Sequence, residues 1–101
     1  VNPLGVEAQI MGATIDGLST ALNLQITVKD GQIEQDNFTN YPLLRMAEAP
    51  DVDVHILHTE FAPSGAGEMG IPTVAPALTN AIYAATGKRI RRLPIGDQLK
   101  A

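Results

Sequence analysis

The stretch NPLGVEAQIMGATIDGLSTAL, residues 2–22, carries the clearest helix signals in the chain. Asn2 followed by Pro3 is typical of an N-cap with proline at the first helical position, where a missing N–H costs nothing. Apolar residues then recur at helical spacing and predict one stripe that faces a core. The stripe consists of Met11, Ile15, Leu18 and Leu22, with Ala8 and Ala21 beside it. Gly12 and Gly17 each cost about 1 kcal/mol relative to alanine, so we expect close approach of a sheet, another backbone or a ligand there.

Two strands should follow this helix as a hairpin. Leu24, Ile26 and Val28 alternate with polar residues, which predicts a strand with one buried face. Asp30-Gly31 favours a type I′ turn, so residues 32–35 should return antiparallel. Residues 37–50 show no firm pattern. A second alternation in residues 52–57 predicts a third strand.

A loop and a second helix complete the pattern. Residues 59–70 are rich in glycine and proline and predict a loop. Pro72 should open a helix that tolerates Pro76 in its first turn and ends at Gly87. The apolar stripe of this helix is Val74 or Ala75, Leu78, Ile82 and Ala85. Residues 88–93 should form a short edge strand that stops at Pro94.

The predicted fold class is therefore α+β, with two helices packed on a small, mainly antiparallel sheet in the order α-β-β-β-α-β. A length of 101 residues with 45% hydrophobic and 18% charged residues predicts one globular domain spanning residues 1–101. No apolar run is long enough to cross a bilayer, and the N-terminus lacks the features of a signal peptide. We expect a soluble chain, in cytoplasm or periplasm.

Composition also excludes several classes of function. Aromatic content of 4% without Trp offers no platform for stacking bases, and a net charge of -4 disfavours polyanion binding, so we expect no nucleic-acid partner. The absence of cysteine excludes disulfides, iron–sulfur ligation and thiolate chemistry within this chain.

The motif Gly65-x-Gly67-x-x-Gly70 formally matches the dinucleotide-binding fingerprint. A true fingerprint begins at the end of a parallel strand and has an acidic residue about 20 positions further on. Here several residues separate the predicted strand from the glycines, and the region twenty positions on is basic, so a nucleotide fold is disfavoured.

Glu68 is the carboxylate of this glycine-flanked loop, directly ahead of the second predicted helix. The glycines permit close backbone approach to a ligand, and a helix N-terminus offers free N–H groups. Glu68 could act as a general base if partial burial tuned its pKa. An exposed loop glutamate is the alternative that local sequence leaves open.

Two further polar groups have simpler explanations. His55 and His58 lie three positions apart near a strand end, which predicts opposite faces, so they should not share a metal. The basic run of residues 88–92 could bind a phosphate or an acidic partner, but charge protection of an edge strand explains it equally well.

An ordered series of short motifs resembles the C-terminal part of the molybdopterin-binding subunit of the xanthine dehydrogenase and aldehyde oxidase superfamily. The resemblance is strongest to isoquinoline 1-oxidoreductase beta subunits and related aldehyde dehydrogenases, and it covers essentially the whole chain. The motifs are Gln9-Ile10-Met11-Gly12-Ala13, Asp30-Gly31, Tyr41-Pro42-Leu43-Leu44-Arg45-Met46, Val54-His55-Ile56, Gly65-Ala66-Gly67-Glu68-Met69-Gly70, Val74-Ala75-Pro76-Ala77-Leu78, Asn80-Ala81-Ile82 and Ala84-Ala85-Thr86-Gly87-Lys88-Arg89-Ile90.

This resemblance implies a molybdenum hydroxylase that uses water to oxidise aldehydes or N-heterocycles. Its cofactor would be molybdenum on molybdopterin, in the cytosine dinucleotide form, with no metal ligand from this chain. Glu68 would be the catalytic base, Gly67 would lie against the metal centre, Gln9 would hydrogen-bond the pterin, and Gly12 would allow close helix approach. The family usually has glutamate at Met11 and proline at Met69, so one polar contact and one rigid turn are missing.

The resemblance also implies partners, because the family's subunit is much longer and its iron–sulfur clusters lie on another subunit or domain. We therefore expect the rest of the molybdenum-binding subunit, an iron–sulfur subunit and a small-molecule substrate. Alone, the chain should bind no cofactor, be inactive, and self-associate through an exposed apolar face. A free-standing scaffold or interaction module derived from this domain is the alternative.

Overall fold

The computed structural model describes residues 2–100. It contains two long helices and one small hairpin. Helix α1 spans Pro3–Leu22, strands β1 and β2 span Val28–Lys29 and Gln32–Ile33, and helix α2 spans Ile71–Thr86. The predicted α+β class is confirmed at this level. No helix within residues 2–100 has the length and apolar character needed to cross a membrane.

Both ends of α1 are closed by hydrogen bonds. The Asn2 side-chain oxygen accepts from the amides of Leu4 and Gly5 at 3.1 and 3.4 Å, which confirms the predicted N-cap. At the other end, the C-terminal segment supplies donors: the Ile95 amide donates to the Ala21 carbonyl, and the Gly96 amide to that of Leu22, each at 2.8 Å. These bonds satisfy carbonyls that a helix end leaves free.

Helix α1 packs on α2 through its smallest residues. Its buried positions are Ala13, Gly17, Ser19 and Ala21. Of the predicted stripe, Met11 is 40% exposed. Ile15, Leu18 and Leu22 are half-buried. Of the two alanines predicted beside the stripe, Ala21 is buried and Ala8 is exposed. The buried face was therefore predicted only in part, because the two helices lie too close at Gly17 for a larger side chain.

Gly17 marks the closest approach of the helices. A Cβ atom placed there would lie 2.9 Å from the Cβ of Val74 and 3.1 Å from the Ile71 carbonyl oxygen, whereas one at Gly12 would meet nothing within 4 Å. The expected close approach is therefore present at Gly17, where the backbone of α1 lies against α2. At Gly12 no other part of the described chain comes this close, and approach of a ligand there stays a prediction.

The hairpin has the predicted turn but shorter strands. Asp30 and Gly31 have φ values of 50° and 79°, as a type I′ turn requires. Val28 pairs with Ile33 in an antiparallel ladder of two residues per strand. Neither helix contacts this hairpin, so the helices pack on each other and not on a sheet.

Two predicted strands do not form ladders. Residues 52–57 and 88–93 have no strand partner within the described chain, so the order α-β-β-β-α-β is not observed. Val52 and Val54 are nevertheless half-buried between exposed neighbours, as the alternation indicated. In the basic run, Arg89 donates to the Asn80 side chain at 2.7 Å and stacks on the Tyr83 ring at 3.8 Å, which ties it to α2.

Helix α2 begins and ends close to the predicted bounds. Pro72 lies in its first turn, and Gly87 ends it with a φ of 73°. Pro76 was expected in the first turn but lies inside the helix, because α2 begins at Ile71. Pro76 has no N–H, so the Pro72 carbonyl lacks its usual intrahelical donor.

The chain is extended for its length. Its radius of gyration is 16.3 Å, compared with about 13 Å for a compact domain of 100 residues. Its accessible surface is 7970 Å², compared with about 5,500 Å² for a folded monomer of this mass. The additional accessible surface is larger than the roughly 800 Å² that one partner contributes to a standard protein–protein interface.

Candidate functional site

The predicted site residues lie where the loop preceding α2 crosses the first half of α1. Glu68 ends this loop, and its carbonyl oxygen accepts from the Ile71 amide at 3.1 Å. Gly70 follows at the N-cap of α2 and makes no side-chain cap. The Glu68 backbone is thus attached directly to the first turn of α2.

A hydrogen bond joins two of the three predicted site residues. The Gln9 side-chain nitrogen donates to the Gly67 carbonyl oxygen at 3.3 Å, across 58 positions of sequence. Gln9 lies in the second turn of α1, and Gly67 directly precedes Glu68. The fold therefore brings Gln9, Gly67 and Glu68 to one place.

A second contact holds the other side of Glu68 against α1. A Cβ atom at Gly70 would lie 3.0 Å from the Ala13 Cβ and 3.7 Å from the Ile10 carbonyl oxygen. The loop can lie this close because residue 70 has no side chain. Neither Ala13 nor Gly70 was among the predicted site residues. The spacing of Ala13, Gly17 and Ala21, four positions apart, is the sequence signal that could have identified this interface.

Within residues 2–100, the Glu68 carboxylate is unpaired, in contrast to the hydrogen-bonded Glu68 backbone. Glu68 is exposed, and its carboxylate has no hydrogen bond or ion pair within residues 2–100. A free carboxylate can accept a proton from a bound molecule. The partial burial expected of a tuned base is not supplied by this chain's own residues.

The surroundings of Gln9 and Gly67 suit a ligand that needs polar contacts. One N–H of the Gln9 amide is used by Gly67, which leaves a second N–H and the amide oxygen. Cβ atoms at Gly65 and Gly67 would meet nothing within 4 Å, so the loop backbone is accessible. The residues present therefore offer polar contacts to one edge of a ligand, and they form no enclosed cradle for it.

A groove of about 430 Å³ lies beside the start of α1. Pro3 and Val6 form one wall, and residues 56–59 and 61–64 form the other. Phe61 and Leu57 line it while remaining 86% and 85% exposed. The apolar lining of this groove is therefore largely accessible to solvent.

Within residues 2–100, neither histidine is hydrogen-bonded to Gln9, Gly67 or Glu68. His55 contacts Asp53 at 3.4 Å, and both side chains are largely exposed. Within the described residues, no three histidine or carboxylate side chains are grouped so that they could hold a metal ion.

Comparison with known proteins gives several relatives that match nearly the whole chain. It is 39% identical over 94 residues to isoquinoline 1-oxidoreductase subunit beta of Brevundimonas diminuta. It is 31% identical over 103 residues to the aldehyde oxidoreductase molybdenum-binding subunit of Escherichia coli. These alignments include 93% and 94% of this chain. The chain belongs to the family of xanthine dehydrogenase and aldehyde oxidoreductase molybdenum-binding subunits.

Membership in the xanthine dehydrogenase and aldehyde oxidoreductase family confirms the resemblance seen in the motifs. A further relative, 38% identical over 95 residues, is a membrane-bound aldehyde dehydrogenase of Gluconacetobacter polyoxogenes whose name specifies pyrroloquinoline quinone. The chain spans 12% of the length of this protein and of the Brevundimonas subunit, and 14% of the Escherichia coli subunit. No family model matches the chain.

Proposed function

We propose that this chain is the C-terminal part of the molybdenum-binding subunit of a molybdenum hydroxylase. The complete enzyme would hydroxylate an aldehyde or an N-heterocycle with water as the source of oxygen. This proposal rests on the hydrogen bond from Gln9 to Gly67 in a chain of this family. The bond joins the two residues that we predict to contact the cofactor, and Glu68 directly follows Gly67.

Each site residue has a distinct role in this proposal. Gln9 would hold the pterin through the amide N–H and oxygen that Gly67 does not use. Gly67 would allow the molybdenum centre to lie close to the backbone, because no side chain occupies that position. Glu68 would accept the proton that water must lose when its oxygen is transferred. Molybdopterin in its cytosine dinucleotide form would supply the two-electron oxidation when bound.

The proposal also assigns partners. The extended shape and the exposed groove beside α1 support contact with the rest of the molybdenum-binding subunit. An iron–sulfur subunit would carry electrons away, because this chain has no cysteine to ligate a cluster. Alone, the chain would hold no cofactor, would not turn over, and would self-associate through its exposed apolar face.

Elemental and pterin analysis of the protein purified with its native partners tests the cofactor assignment. We expect stoichiometric molybdenum with a pterin. Pyrroloquinoline quinone in place of molybdenum would contradict the proposal. It would also be contradicted if the native source contained the chain only as a folded protein without partner subunits and without either cofactor. In the latter case the scaffold alternative would replace it.

Replacing Glu68 tests the catalytic assignment. Glu68→Gln keeps the shape of the side chain but removes the base, so we expect kcat to fall by about 10²- to 10⁴-fold with molybdenum content unchanged. Glu60→Gln is the matched control, because Glu60 is also an exposed glutamate of the same loop. Equal activity of the two variants would remove Glu68 from the mechanism.

A further inference from the structure

We propose that Gln9 is a positioning residue for Glu68, in addition to its proposed contact with the cofactor. By holding the Gly67 carbonyl, Gln9 fixes the peptide from which Glu68 extends. The catalytic consequence depends on the proposed function, whereas the fixing of the loop does not.

The loop needs such a contact because packing restrains it little: Ala66 is half-buried, but residues 65, 67 and 68 are exposed. Gly65 and Gly67 adopt many backbone conformations at little cost. Cβ atoms at both positions would meet nothing within 4 Å, so no neighbouring side chain restricts them. On this side of Glu68, the bond from the Gln9 side chain is the only polar contact from α1 to residues 65–67 of the described chain.

Helix α1 contacts the loop on both sides of Glu68. Gln9 bonds to Gly67 before the glutamate, and Ala13 lies against Gly70 after it. Gln9 and Ala13 are four positions apart, so they lie about one helical turn, or roughly 6 Å, apart on the same face. One rigid surface therefore determines where the Glu68 backbone lies, while its side chain stays free.

Glutamine suits this position for a chemical reason. Its amide can donate one N–H to Gly67 and retain a second N–H for another acceptor. Glutamate has the same shape but cannot donate when ionised, and the side chain of asparagine is one methylene shorter. Gln9→Glu and Gln9→Asn should therefore both lose the bond without leaving a large gap.

Backbone relaxation of the isotope-labelled chain measures the fixing directly. In the wild type we expect order parameters at Gly67 and Glu68 near the rigid value of about 0.85. In Gln9→Glu and Gln9→Asn they should fall below about 0.6, while those of α1 and α2 stay unchanged. Gln25→Ala is the control, because the exposed Gln25 side chain makes no hydrogen bond within the described residues. Unchanged order at Gly67 and Glu68 in both Gln9 variants would overturn the proposal.

Kinetics of the assembled enzyme test the consequence for catalysis. Per bound molybdenum, both Gln9 variants should lower kcat by about 10- to 100-fold, since small misplacements of a reacting group have effects of this size, with KM unchanged. A rise in KM at constant kcat would overturn the positioning role. If loop order falls as expected but Glu68→Gln retains full activity, the proposed function fails while the fixing of the loop stands.

Discussion

The helix body and the hairpin arm of this chain are stabilised in different ways. The helix body consists of α1, α2 and residues 90–98, and it contains the deeply buried Ala21 and Ile95 at 0% and 2% exposure. The hairpin arm, residues 26–41, leaves its apolar side chains largely in solvent. They are Ile26, Val28, Ile33 and Phe38, each 53–71% exposed.

The arm is held by polar contacts instead of packing. Thr27 donates its hydroxyl to the Glu34 carboxylate at 2.6 Å, and Gln35 donates its amide to the Thr27 hydroxyl at 2.8 Å. Asn40 accepts from the amides of Asp36 and Asn37. An isolated two-stranded hairpin is marginally stable in water. The body is therefore held by packed, buried side chains, whereas the arm has local polar order and an uncovered apolar face.

The largest expected contrast comes from truncating one isoleucine in each region. Ile95→Ala should destabilise the chain by about 2–5 kcal/mol, because it removes a buried side chain and leaves a cavity. Ile33→Ala should change the free energy of unfolding by less than about 0.5 kcal/mol, since Ile33 is 60% exposed. Urea unfolding followed by circular dichroism measures both. Equal losses would show that the arm belongs to the cooperative core.

A smaller difference in the free energy of unfolding is expected between two glycines of α1, and it tests which of them packs on α2. Gly17→Ala should destabilise by about 1–3 kcal/mol through overpacking, because its Cβ would lie 2.9 Å from that of Val74. Gly12→Ala adds the same methyl group where nothing lies within 4 Å. It should stabilise by up to about 1 kcal/mol through helix propensity. The same unfolding experiment applies, and changes of equal sign would contradict the assigned interface.

Local signals in the sequence predicted the parts of the fold that depend on neighbouring residues. The cap at Asn2, the turn at Asp30-Gly31 and the helix end at Gly87 all have the predicted conformation. The ladders predicted at 52–57 and 88–93 depend on a partner strand, which alternation alone cannot supply. The buried face of α1 was predicted only in part, because hydrophobicity favours large side chains while close helix packing requires small ones.

The candidate site was predicted from resemblance more than from pattern. From local sequence alone, Glu68 could be either a general base or an exposed loop residue. No rule of sequence spacing predicts the contact between Gln9 and Gly67. Their contact depends on how the loop crosses α1, which is a long-range property of the fold. Of the positions that allow this crossing, Ala13 could have been found by treating small residues four apart in α1 as a packing signal, whereas Gly70 has no such pattern.

The smallest expected effect separates two glycines that both have a positive φ. Gly31 has a φ of 79° in the arm, and Gly87 has a φ of 73° at the end of α2, where its amide donates to the Tyr83 carbonyl at 2.8 Å. Alanine at either position costs about 1–2 kcal/mol in local backbone energy. In Gly87→Ala this cost should appear in the global free energy of unfolding, because α2 is part of the helix body.

In Gly31→Ala the same cost should remain within the arm. The cross-strand nuclear Overhauser contact between Val28 and Ile33 should be lost, while the global free energy of unfolding stays within about 0.5 kcal/mol of the wild type. Neither helix contacts the hairpin, so no packing transmits the change to the body. A global loss in Gly31→Ala equal to that in Gly87→Ala would show that the arm and the body unfold together. The difference between the two regions would then be one of exposure and not of stability.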